Sequence, residues 1–205
     1  YLQVFTNAGY IVIAPNFRGS VGYGKTFQKM IYKDWGGAEL NDVLGAVEYL
    51  KQTGYADPKK IAVVGGSFGG FMTLTCVTKV PKVWKCAIDI FGPSNLFTFL
   101  ESVPEHWKQG TDILVGNAVT DKEMLKERSP INYVENIKCP MLVIQGKHDP
   151  RVVEAESVQI VEKLRAMNKP VEYMLLEDEG HGFSKVSNQI KVFKLMLNFL
   201  DKYLK

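Results

Sequence analysis

Lys60-Ile61-Ala62-Val63-Val64-Gly65-Gly66-Ser67-Phe68-Gly69-Gly70 passes from an apolar, β-branched run straight into a serine bracketed by glycines. From Gly69 to Val80 apolar residues then recur at three- and four-residue intervals. The pattern predicts a buried strand, a tight turn and a helix in immediate succession. Working outward, Tyr10-Ile11-Val12-Ile13-Ala14, Cys86-Ala87-Ile88-Asp89-Ile90, Met141-Leu142-Val143-Ile144 and Val171-Glu172-Tyr173-Met174-Leu175 read as further strands. Most are apolar throughout, as parallel strands covered on both faces require. Helical periodicity runs from Leu40 to Lys51 and from Glu154 to Met167, and Val192, Leu195, Met196, Phe199, Leu200 and Tyr203 form one core-facing stripe at the end. Strand–helix alternation of this kind predicts an α/β fold with an open, doubly wound parallel sheet, whose chemistry lies beyond the carboxyl ends of the strands. Residues 92–136 interrupt the rhythm, and an excursion that long is expected to fold as extra helices or a lid.

Composition narrows the classes. The 205 residues are 46% hydrophobic, 11% aromatic and 23% charged, which suits one globular domain with a real core and excludes a disordered or disulfide-dense chain. A formal charge of +3 without a basic cluster argues against nucleic acid as a partner. Cys76, Cys86 and Cys139 are odd in number and scattered, so they read as small buried residues in a reducing, cytoplasmic setting. With only His106, His148 and His181, and no two at a ligand spacing, no metal or other cofactor is expected. No stretch approaches the roughly 18 to 20 apolar residues of a membrane helix. Tyr1 to Thr26 lacks a charged leader followed by an apolar block. The chain opens without Met on a run that already reads as packed helix, so it is expected to be the C-terminal part of a longer protein.

Two motifs compete for the chemistry. Gly65-Gly66-Ser67-Phe68-Gly69 matches GxSxG, where a strained strand-to-helix turn exposes the serine hydroxyl and aims the next backbone N–H, that of Phe68, at a developing oxyanion. The flanking glycines are expected there because a Cβ would collide with the neighbouring strand and helix. Gly19-Ser20-Val21-Gly22-Tyr23-Gly24-Lys25-Thr26 matches the GxxxxGK[ST] phosphate loop. Its context argues against nucleotide binding: Pro15-Asn16-Phe17-Arg18 separates it from the preceding strand, and Asp89 is a poor stand-in for a magnesium-binding aspartate. The serine motif gains support from two downstream residues. Asp149 lies just past the Met141–Ile144 strand, and His181 lies past the next one in a turn flanked by Gly180 and Gly182. Nucleophile, acid and imidazole thus fall on strand-end loops in the chain order of serine hydrolases of this sheet type. His106 and His148 have no such context and read as structural.

These residues resemble the catalytic domain of the prolyl oligopeptidase family of serine peptidases, particularly its acylaminoacyl-peptidase-like branch. The matching stretches are Asn16 to Gly24, Trp35-Gly36-Gly37 with Asp42, Gly65 to Gly70, Arg128-Ser129-Pro130, His148 to Val152, and Asp178 to Phe183. The resemblance covers nearly the whole chain and accounts for the phosphate-loop look-alike as a family turn. It implies an α/β-hydrolase fold across residues 1–205, with Ser67 as nucleophile, His181 as base and then acid, Asp149 as orienting acid, and the Phe68 N–H in the oxyanion hole. Arg151 stands where some members contact the substrate backbone, a structural ion pair being the alternative. Phe91, Phe97, Phe99 and Trp107 border the family's specificity pocket, or simply pack the excursion onto the domain. The implied substrate is a short or N-acylated peptide or a small ester; the alternatives are a carboxylesterase that uses the same residues with a different pocket, and an inactive fragment whose oxyanion hole is incomplete. Two family features have no counterpart: the upstream His-Gly-Gly-Pro-like loop that supplies the second oxyanion donor, and an N-terminal β-propeller. The sheet is therefore expected to lack its N-terminal strands, including the one between Tyr10–Ala14 and the Ile61–Val64 strand. Loss of one oxyanion donor typically costs about 100- to 1,000-fold in rate. Self-association is left open.

Overall fold

The computed structural model describes residues 2–205. In chain order the elements are α1 (Leu2–Asn7), α2 (Lys25–Lys29), α3 (Glu39–Thr53), β1 (Ala62–Gly66), α4 (Phe68–Lys79), β2 (Cys86–Ile90), α5 (Leu96–Ser102), α6 (Glu105–Leu114) and α7 (Lys122–Arg128). A 3₁₀ turn (Pro130–Asn136), β3 (Met141–Gly146), α8 (Glu154–Ala166), β4 (Val171–Leu176) and α9 (Val186–Leu204) complete it. The four strands pair in the order β1-β2-β3-β4, all parallel. Each lies within one or two residues of its expected bounds, and the excursion over 92–136 folds as short helices.

Because side chains alternate across a strand, the sheet divides its apolar residues between two cores. Ala87, Met141 and Val143 face Leu74, Val77, Ile160 and Leu164 of α4 and α8. Ile88, Ile90, Leu142 and Ile144 face Val192, Met196 and Phe199 of α9. Helices thus cover both faces of the parallel sheet, as the run of apolar strands requires. A third cluster, with Phe71, Leu96, Phe99 and Val152, fastens the excursion to the domain. The described residues contain no helix long and apolar enough to cross a membrane.

Tyr10–Ala14 departs from expectation. The segment forms no strand, and β1 pairs only with β2 among the described residues. Between them lies an apolar groove of about 830 Å³, bordered by Ile13, Leu50, Val63 and Val64. Ile11 and Ile13 are left 56% and 39% exposed. A strand is defined by its ladder partner, and among the described residues no segment forms a ladder with this one.

One polar residue interrupts the sheet. Asp89 in β2 is fully buried; its Oδ1 accepts from the Gly92 N–H at 3.0 Å, and its Oδ2 has no partner among the described residues. Burial pushes its pKa up to about 8, against which the Gly92 bond works only in part. The folded state thus keeps a proton that the unfolded chain sheds near the ordinary carboxylate range. Between those two values the native state binds more protons, so this group makes stability fall as pH rises, levelling off above about 8. Asp89→Asn keeps the acceptor oxygen and has no proton to lose. Melting from pH 5 to pH 8 should therefore show a flatter stability curve for the variant, the difference being on the order of a few kcal/mol. Parallel curves for the two proteins would refute the assignment.

Candidate active site

The turn between β1 and α4 sets the geometry. Ser67 adopts φ 58° and ψ −120°, a left-handed conformation that L-residues rarely hold and that recurs at functional sites. Its N–H donates to the Ile90 carbonyl at 2.9 Å, which ties the strained residue to the end of β2. A Cβ on Gly65 would lie 2.0 Å from the Gly69 carbonyl oxygen, so the elbow closes only with glycine there. The expected collision is absent at Gly69, which faces open space. It falls instead at Gly70, where a Cβ would come within 2.5 Å of Asp89 Oδ1. Phe68 is the first residue of α4, a position at which the backbone N–H has no acceptor inside the helix and is available to an anion.

Two loops at the same edge of the sheet bring the other candidates in. Past β3, Asp149 Oδ1 accepts from the backbone N–H groups of Arg151 and Val152 at 2.8 and 2.9 Å, which orients its carboxylate. Asp149 Oδ2 lies 2.6 Å from His181 Nδ1, and His181 Nε2 lies 2.8 Å from Ser67 Oγ. The Asp149 side chain is fully buried and that of His181 is 11% exposed, so a proton can pass between Ser67 Oγ and His181 Nε2 largely out of water. A Cβ on Gly146 would sit 2.2 Å from the Gly180 carbonyl oxygen. This close approach of the two loops puts the aspartate within reach of the imidazole.

The remaining candidates divide. Phe91, held at φ 44°, sets its ring in tilted contact 4.6 Å from that of His181 and 5.7 Å from that of Phe183. It buttresses the imidazole. Arg151 makes no ion pair among the described residues; its guanidinium lies 5.7 Å from the Trp107 ring centroid. Phe97 and Trp107 are half-buried against the third apolar cluster, where Phe99 stacks 6.1 Å from Trp35. His106 lies beside Trp107, and the His148 backbone N–H donates to the Glu179 carbonyl. Among the described residues the phosphate-loop look-alike has neither a strand before it nor a long helix after it, and Arg18, just before it, is paired with Asp42 in α3 at 2.7 Å. The described residues hold no group of three or more His, Cys, Asp or Glu side chains arranged for a metal ion.

Two features were not anticipated. A cavity of about 580 Å³ opens beside the elbow, lined by Phe17, Ile31, Trp35, Phe68 and Leu114. The Trp35 and Phe68 rings meet there edge to face at 4.7 Å. Glu179 is the second, a buried acid two residues before His181 whose side chain turns inward.

Comparison with known proteins accords with this geometry. The chain is 44% identical over 193 residues to dipeptidyl aminopeptidase BIII of Pseudoxanthomonas mexicana, covering 92% of this chain and 28% of that protein. It is 28% identical to the acylamino-acid-releasing enzyme of Rattus norvegicus, over 96% of this chain and 28% of the relative. Among solved structures, a puromycin-hydrolyzing peptidase of Mycobacterium tuberculosis superposes with a TM-score of 0.88 at 32% identity, over 92% of this chain and 29% of that one. The chain thus spans less than a third of the length of these proteins. A sequence profile described as the prolyl oligopeptidase family matches residues 1–205, and the chain belongs to that family.

Proposed function

We propose that this chain is the catalytic portion of a serine peptidase that cleaves short or N-acylated peptides through an acyl-enzyme on Ser67. One observation carries the reading: the unbroken line from Asp149 Oδ2 through His181 to Ser67 Oγ, at 2.6 and 2.8 Å, ending on a strained elbow. In the first half-reaction Ser67 Oγ attacks the scissile carbonyl and its proton passes to His181 Nε2. The oxyanion forms against the Phe68 N–H. The C–N bond then breaks as His181 returns the proton to the leaving amine. In the second half-reaction water attacks the acyl-serine by the same proton path and releases the acid. Asp149 keeps the proton of the neutral imidazole on Nδ1 and stabilises the imidazolium that forms.

The second oxyanion donor is assigned to a segment upstream of this chain. The open edge of β1 and the groove beside it support that assignment, as does the greater length of the relatives. An N-terminal propeller that filters substrates by size belongs to the same reading. Three unpaired, buried cysteines favour a reducing cytoplasmic compartment.

Treating the full-length protein with a fluorophosphonate should label Ser67 and abolish turnover of an acyl-peptide anilide. A protein that turns over the substrate while Ser67 stays unmodified would refute the proposal. Turnover of a short nitrophenyl ester without any anilide cleavage would identify a carboxylesterase built on the same residues.

A further inference from the structure

We propose that Glu179 is a positioning residue for the Asp149–His181 pair, clamping both ends of the turn that carries the imidazole. The proposal rests on the assignment of Ser67, His181 and Asp149 above.

Glu179 is 3% exposed, yet its carboxylate meets four donors. Oε2 accepts from the Ser184 N–H at 2.9 Å and the Ser184 hydroxyl at 2.8 Å. Oε1 accepts from the Lys185 N–H at 3.0 Å and from Asn188 Nδ2 at 2.8 Å. Together these bonds fasten residue 179 to the start of α9, across the short turn in which His181 lies. The backbone of the same residue faces the other way. Its carbonyl accepts the His148 N–H at 2.9 Å, one residue before Asp149. The Gly180 carbonyl packs against Gly146 in the same seam. Residue 179 is therefore the common anchor of the histidine turn, the aspartate loop and the N-terminus of α9.

The arrangement calls for a carboxylate. All four partners are donors, so both oxygens must be acceptors, and a negative charge is favourable at the start of a helix. Burial acts to raise the pKa, but the bonds from Asn188, Ser184 and Lys185 outweigh it and hold it down at about 2. The group stays ionised throughout the neutral range. Lys185 Nζ is paired with Asp178, and Asn188 donates to both acids. A role confined to capping α9 would be felt in stability alone. The clamp instead links the carboxylate to the position of the imidazole, and small misplacements of a catalytic group are costly in rate.

The test uses the full-length protein. Glu179→Gln preserves size and one acceptor oxygen but turns an NH₂ group toward backbone N–H donors. Its kcat on a short-peptide nitroanilide should fall by up to about 100-fold with KM little changed, measured well below its own melting temperature. Fluorophosphonate labelling of Ser67 should slow in proportion. If Glu179→Gln does not fold, Ser184→Ala and Asn188→Ala, each of which deletes donors to the carboxylate, should still lower kcat without raising KM. Parental kcat in Glu179→Gln, or in both donor variants, overturns the proposal while leaving the triad reading intact. A parent protein that is not labelled at Ser67 overturns both.

Discussion

Replacing Ser67 with alanine is expected to lower kcat by about a million-fold, the scale seen when the nucleophile of a serine hydrolase is removed. The elbow makes this a clean experiment. Alanine retains the Cβ that serine already holds at φ 58°, so the substitution adds no backbone strain and removes only the hydroxyl. The bond that holds the turn in place runs from the backbone N–H of residue 67 to the Ile90 carbonyl, and any residue other than proline supplies it. The backbone contact between Gly65 and Gly69 is likewise untouched. Stability should therefore stay within about 0.5 kcal/mol of the parent, as for a substitution that leaves packing intact. Substrate should still bind, because Phe68 and the pocket residues keep their places. Calorimetric binding of a short peptide, alongside turnover and melting, checks all three. Substantial turnover by the folded variant would place the chemistry elsewhere.

Much of this architecture was legible in the sequence, for a definite physical reason. A parallel strand buried on both faces must be largely apolar along its length, so Cys86–Ile90 and Met141–Ile144 declared themselves by composition and length. Once strand ends were placed, the topology of an open parallel sheet brought residues 67, 149 and 181 to one edge. Distances of 2.6 and 2.8 Å arise only from backbone that local patterns do not encode. Tyr10–Ala14 shows the limit. Its apolar, β-branched run reports what the segment could pair with, whereas a ladder depends on a neighbour that local pattern cannot supply. Gly70 and Asp89 show a related limit. The glycine is demanded by a carboxylate on a strand nineteen positions on, a contact invisible to any motif window.

Aromatic residues were the least legible. Phe91, Phe97 and Trp107 looked alike as candidates for a pocket wall, since periodicity tells only that a side chain is buried and not against what. The structure separates them by backbone conformation. Phe91 sits at φ 44° at the end of β2, which swings its ring beneath His181, while Phe97 and Trp107 stay on the excursion. Glu179 was missed for a comparable reason. In sequence it is one acid beside another in a turn, and only the fold shows that Asp178 pairs outward with Lys185 while Glu179 points inward.

Asp149→Asn is the second large effect, expected at about 10⁴-fold in kcat with the fold preserved. The asparagine oxygen can still accept from the Arg151 and Val152 N–H groups, so the loop keeps its shape. The change falls on the other terminal atom. Where Oδ2 now accepts from His181 Nδ1–H, an NH₂ group would present a donor to a donor. The imidazole relieves that clash by moving its proton to Nε2, which leaves Nδ1 free to accept from the amide. Nε2–H then faces Ser67 Oγ and cannot receive its proton. The same substitution removes the buried charge that stabilises the imidazolium, so both the resting tautomer and the charged intermediate are affected. Two measurements separate this from a general loss of structure. Melting should show a folded variant, and fluorophosphonate labelling should slow together with turnover, because both require deprotonation of Ser67. Adding Asp149→Asn to Ser67→Ala should cost almost nothing more, since an aspartate that acts only through the histidine has no function once the nucleophile is gone. A further large loss in the double variant would mean that Asp149 contributes by a route that does not pass through His181 and Ser67.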